Sequence, residues 1–170
     1  MKRSVQVSLV AILISVLVFA GSAPAASASN MKILQFSTMV GLPSGLTGAQ
    51  SQGPLRGMSG GGLPWMVGSA TGSLTASGRL KVEVEGLVLA AGANAGSNPL
   101  SSFRAVVSCV TSNGSFDNIQ TAAFPATTGP ASAGGGDADI ETTVSLPQPC
   151  IAPIIFVTSA GGAWLAATGF

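Results

Sequence analysis

The decisive stretch is Arg79-Leu80-Lys81-Val82-Glu83-Val84-Glu85-Gly86-Leu87-Val88-Leu89. From Arg79 to Glu85, charged and aliphatic residues alternate one by one. Successive side chains of a strand point to opposite faces, so Leu80, Val82 and Val84 share one face and Arg79, Lys81, Glu83 and Glu85 the other. A helix scatters the same residues around its axis. After Gly86 the apolar parity changes to Leu87 and Leu89, which predicts a bulge or sharp kink at the glycine. Upstream, Thr75-Ala76-Ser77-Gly78-Arg79 joins this strand to Trp65–Leu74, a hairpin with glycine in its turn.

Working outward, the same signals recur. Lys32–Met39 reads as a first strand, followed by a Gly/Pro/Ser-rich loop, Gly41–Gly62, without periodicity. At over twenty residues, so long a loop inside a compact domain predicts function or an Ω-like packed excursion. A second loop, Ala90–Pro99, precedes Ser102–Val110, where Phe103, Ala105, Val107 and Cys109 oppose Val106 and Val110. Two apolar faces predict a central strand. Ser112-Asn113-Gly114-Ser115 is a hairpin turn leading into a strand around Asp117–Phe124. The small-residue loop Pro125–Gly136 then gives way to clean alternation over Asp139–Leu146. Pro147-Gln148-Pro149-Cys150 breaks that pattern, and Pro153–Thr158 and Ala163–Thr168 flank Ser159-Ala160-Gly161-Gly162 as a last hairpin. Seven or eight short strands with no helical stripe among them predict an all-β antiparallel β-sandwich, with a closed β-barrel as the alternative.

The first residues read as an address. Lys2 and Arg3 precede an apolar run, Val5–Ala20, and then Gly21-Ser22-Ala23-Pro24-Ala25-Ala26-Ser27-Ala28, with small residues of the A-x-A kind. This pattern predicts a signal peptide over 1–28 and a single secreted, extracellular β-domain over 29–170, without integral membrane association after cleavage. In an oxidising compartment the two cysteines, Cys109 and Cys150, are expected to form one disulfide.

Charge and chemistry are both sparse. Charged residues make up 8% of the chain, against about a quarter in ordinary soluble domains. Without Lys2 and Arg3, five basic and six acidic residues leave a net charge of −1. That balance offers no footprint for nucleic acid. Histidine and tyrosine are absent, which removes the commonest general base and any Ser-His-Asp or Cys-His arrangement. No cofactor is expected.

Carboxylates are the remaining candidates for chemistry. Glu83 and Glu85 lie on one strand face about 7 Å apart, near a glycosidase-like separation, yet they continue the polar stripe of a solvated sheet. Asp137 and Asp139, after Gly134-Gly135-Gly136, form a candidate acidic site. With Glu141 they hint at a calcium loop, although an extended strand keeps Asp137 and Glu141 about 13 Å apart. Cross-strand pairing with Arg79 or Lys81 is the simpler role. Trp65 and Trp164 are candidate ligand-binding residues if exposed and coplanar, and core residues otherwise. Asn113-Gly114-Ser115 also fits a glycosylation acceptor, with the turn as the stronger reading.

Gly60–Trp65 (GGGLPW), Ser102–Cys109 and Pro149–Gly169 together resemble small exported bacterial proteins of unassigned function, over most of the chain after the leader. The resemblance implies a bacterial source and a paired Cys109–Cys150, and no activity. The resulting expectation is a secreted non-catalytic domain with a binding or cell-envelope-associated structural role. Cell-wall or extracellular glycan, or protein, would be its partner, and the loops Gly41–Gly62 and Ala90–Pro99 its specificity. A carboxylate-dependent, glycosidase-like hydrolase and a self-assembling extracellular matrix or coat protein are the alternatives.

Overall fold

The computed structural model describes residues 30–48 and 54–168; the expected signal peptide lies outside them. Among the described residues fourteen strands are formed, eight of them five residues or longer. One antiparallel sheet runs β1 (Lys32–Phe36), β4 (Ser69–Thr75), β5 (Arg79–Glu85), β12 (Ala138–Thr143). The second runs β10 (Phe124–Pro125), β8 (Ser102–Val110), β13 (Ile151–Ser159), β14 (Trp164–Thr168), β2 (Met39–Gly41), with β9 (Phe116–Gln120) also on β8. Two short ladders complete the set: β3 (Trp65–Met66) with β6 (Val88–Leu89), and β7 (Ser97–Asn98) with β11 (Gly129–Pro130). Among the described residues no sheet closes on itself. The molecule is a β-sandwich, and the barrel alternative is set aside because both principal sheets keep open edges.

The alternation over 79–85 works as its chemistry demands. Leu80, Val82 and Val84 are buried, with Leu74, Ala70 and Ile140 on the neighbouring strands. The β4–β5 turn holds Gly78 in the left-handed region, at φ 86°. At the far end the sequence reading needs correction. Trp65–Leu74 is not one strand: it breaks at Val67-Gly68, directly across from the anticipated kink at Gly86 (φ 64°). The Gly68 N–H donates to the Glu85 carbonyl across this joint (3.0 Å). Beyond it the hairpin continues as β3–β6, pairing Trp65 with Leu89. A glycine on each strand lets both chains change direction together.

β8 is central, between β13 and the β9/β10 edge. Phe103, Ala105, Val107 and Cys109 are buried, but so are Val106 and Ser108, and on β13 both Phe156 and Val157. A two-layer sandwich with a solvated outer face would expose one of these sets. The Gly41–Gly62 excursion supplies the extra cover. The Trp164 N–H donates to the Ser59 carbonyl, the Gly61 N–H to the Trp164 carbonyl, and the Leu42 N–H to the Leu165 carbonyl. Arg56 Nη1 donates to the carbonyls of Ser108 (3.1 Å) and Ala152 (2.8 Å), and its guanidinium lies over the Phe116 ring. Leu46, Leu55 and Met58 pack against the core. Gly60 is close to the Leu46 carbonyl and Leu42, so a side chain there would displace backbone.

Cys109 and Cys150 form the expected disulfide. It ties the centre of the second sheet to the segment that enters β13.

Candidate functional site

The two tryptophans occupy opposite faces of the second sheet. Phe156 pairs with Val106 and Thr158 with Trp164, so Trp164 shares the outer face with Phe156, which it meets edge-on at 6.0 Å. It is 1% exposed, beneath the excursion. Trp65 meets Phe103 of the inner face edge-on at 6.4 Å. The indoles therefore form no exposed coplanar pair. Trp164 is a core residue, and Trp65, 6% exposed, shows only a small part of its surface.

That remaining surface of Trp65 faces a groove of about 360 Å³. Gly61, Gly62 and Leu63 from the first loop form one wall, and Pro99 and Leu100 from the end of the second loop form another. Leu89 and Leu165 contribute apolar surface, and the β13–β14 turn closes one side through Ser159 and Ala163. The lining contains no ionisable residue. Leu63, 43% exposed, stands at the rim.

Local interactions explain why two irregular loops converge here. Trp65 N–H donates to the Leu42 carbonyl and Ala90 N–H to the Pro64 carbonyl, so both loops are tied to the same short ladder. Gly92 has a φ of 92°, and a side chain there would press on Leu63. Asn98 is buried to 1% exposure and fully engaged: its amide donates to the Leu100 and Thr127 carbonyls while its Oδ1 accepts from Leu100 N–H. A buried amide with its polar atoms paired fixes backbone without penalty. The sequence reading singled out the loops and Trp65. It missed Leu89, Leu100 and Leu165, which look like ordinary core leucines, and Asn98, whose Asn-Pro context reads only as a turn.

A second depression, about 420 Å³, lies on the outer face of the first sheet. Glu83, Glu85, Asp137 and Asp139 all line it, together with Ser69 and Thr71. Strand register brings them together: Glu83 pairs with Asp139 and with Thr71, and Glu85 with Ser69. Thr71 Oγ1 donates to Glu83 (3.0 Å) and Ser69 Oγ to Glu85 (2.9 Å). Lys81 forms an ion pair with Glu83 at 2.8 Å, with both side chains about half exposed. The Lys81 hydrogen bond, then that from Thr71, hold the Glu83 carboxyl below its ordinary range, and Glu83 in turn raises the Lys81 ammonium. Glu141 stands opposite Lys81 in the register. Asp137 accepts the Gly86 N–H (2.8 Å) and so fastens the kink. Among the described residues no three acidic or cysteine side chains converge as a metal would require.

The chain matches no protein-family model, no curated protein and no solved structure.

Proposed function

We propose that this protein is an exported, non-catalytic binding domain whose groove at Trp65 takes an uncharged ligand. The observation that carries the reading is the convergence of both long loops on one apolar, charge-free concavity. Concave, mostly apolar surface with a few polar groups is the usual form of a small-ligand or side-chain site. The leader-like residues 2–28 and the Cys109–Cys150 cystine support export. A neutral envelope or extracellular glycan, presenting the apolar face of a sugar ring, suits the lining best.

The test is a screen of neutral envelope and extracellular glycans against the wild-type protein and Leu63→Asp. Leu63 is at the rim, so the charge enters the groove without entering the core. The expected result is a ligand that changes Trp65 emission and is lost in Leu63→Asp. Equal binding by both proteins, or no binding glycan in the screen, refutes the assignment.

The shared depression on the first sheet favours a second reading, a carboxylate-dependent hydrolase. A general acid needs a raised pKa, whereas Glu83 is held low by Lys81 and Thr71. In this reading Glu83 serves as the base, and Asp139, its partner in the β5–β12 register, is the candidate acid by position. Neutral polysaccharide cleaved by wild type but not by Asp139→Asn would establish it over the first.

A further inference from the structure

The β8–β9 hairpin tip carries chemistry that the groove does not use. Asn113-Gly114 is the only Asn-Gly pair in the chain, and both residues are exposed. The Asn113 side chain is oriented by its neighbours. Ser115 N–H donates to its Oδ1 (3.1 Å), and because a backbone N–H only donates, the acceptor is the oxygen. Ser115 Oγ donates to the same atom at 2.7 Å. Thr111 Oγ1 reaches Oδ1 at 2.5 Å, with Ser115 Oγ at 2.8 Å and the Ser115 carbonyl at 3.0 Å competing for its single proton. Three donors thus converge on one amide oxygen. Gly114, at φ 81°, has open space where a side chain would stand.

We infer that Asn113–Gly114 is a self-modification site, at which the asparagine converts to aspartate and isoaspartate with water as co-reactant. Hydroxide removes the Gly114 amide proton, and the nitrogen attacks Cγ of Asn113. Negative charge develops on Oδ1, where the three donors meet it in the manner of an oxyanion hole. The Cγ–Nδ2 bond breaks, and the nitrogen leaves as ammonia after taking a proton from water. Water then opens the cyclic imide. Breaking the bond from Gly114 N to Cγ yields aspartate, and breaking that to the Asn113 main-chain carbonyl carbon yields isoaspartate. The net change is hydrolysis of one amide, with no oxidation or reduction.

Glycine removes the side chain that would crowd the attacking nitrogen. The opposing feature is the Gly114 N–H, which donates to the Thr111 carbonyl (3.0 Å) and must leave that bond to react. The position is independent of the groove. Conversion adds a negative charge at the tip and, in the isoaspartyl form, an extra backbone atom between Thr111 and Ser115.

The experiment incubates the purified full chain at neutral and mildly alkaline pH and follows Asn113 by peptide mass mapping, with isoaspartate detected by enzymatic carboxyl methylation. Conversion is expected at Asn113 ahead of the other asparagines, faster at the higher pH, and absent in Asn113→Gln. Thr111→Val, at a half-buried position, and Ser115→Ala, at an exposed one, should each slow it by roughly 2- to 10-fold, the span of one net hydrogen bond. Thermal melting of each variant checks that the hairpin's host fold is retained. An Asn113 that stays intact while other asparagines convert overturns the proposal. Hydroxyl variants that convert as fast as wild type, or faster, overturn it equally, since the donors would then restrain the side chain.

Discussion

Arg56 offers the sharpest test of how the long excursion is held. It sits at φ 50°, beside Gly57 at φ 78°, in the tight turn between Leu55 and Met58. For a residue with a Cβ the left-handed conformation costs about 1 kcal/mol. Against that stand two charge-assisted bonds to the Ser108 and Ala152 carbonyls and the stacking on Phe116. The partly buried bond contributes about 1.5 kcal/mol and the exposed one less. The cation–π contact adds about 0.5 kcal/mol at such a site. Ordering a long side chain offsets between about 1 and 2 kcal/mol of this. Truncation in Arg56→Ala therefore destabilises by about 1.5 kcal/mol, and the melting temperature falls by roughly 5 °C in a fold of this size. In Arg56→Gly the same contacts vanish but the backbone strain goes too. The glycine variant is therefore the more stable of the two, by about 0.5–1 kcal/mol. Denaturant unfolding followed by tryptophan emission measures both, since Trp164 lies directly under the Ser59–Gly61 segment that the latch holds down. An alanine variant at least as stable as the glycine variant would refute the strain argument. A wild-type midpoint in both would refute the latch.

The other expectations are simpler. Replacing Cys109 and Cys150 together by alanine opens a loop with a sequence separation of 41. It should cost about 4 kcal/mol in the chain-entropy view, read as a lowered denaturant midpoint relative to the oxidised wild type; an unchanged midpoint refutes it. Glu83 titrates below ordinary glutamates because Lys81 and Thr71 favour its charged form. A depressed folded pKa contributes stability above the unfolded pKa and loses it as pH falls through the folded one, so this contribution is intact at neutral pH and disappears on acidification. NMR titration should place the Glu83 midpoint below that of a free glutamate, and Thr71→Val should move it back upward. A wild-type midpoint at the ordinary glutamate value refutes the assignment.

The charged stripe at 79–85 was legible because a sheet with one face on the core and one in water imposes strict alternation, and β5 obeys it from Arg79 to Glu85. The hairpin turns at Gly78 and Asn113-Gly114 were legible because their backbone angles restrict residue choice. The break of Trp65–Leu74 at Gly68 was not. One glycine in an apolar run carries no direction until its partner strand kinks at the same level. The carboxylates show a similar division. Their common polar face follows from spacing, but the gathering of Glu83, Glu85, Asp137 and Asp139 follows from the β5–β12 register.

Although the expected strand Lys32–Met39 is divided between the two sheets as β1 and β2, the sequence by itself determined the β class, most of the strands and turns, and the pairing of its two cysteines. These depend on short-range periodicity, on turn conformation and on there being only one possible intramolecular cystine. Tertiary structure alone decided sandwich over barrel, put Trp164 beneath the excursion and Trp65 at the groove, and joined the two loops around it. Such outcomes depend on which distant backbones meet. That is set by long-range pairing and by the need to cover both apolar faces of β8, β13 and β14, information that no local window of residues contains.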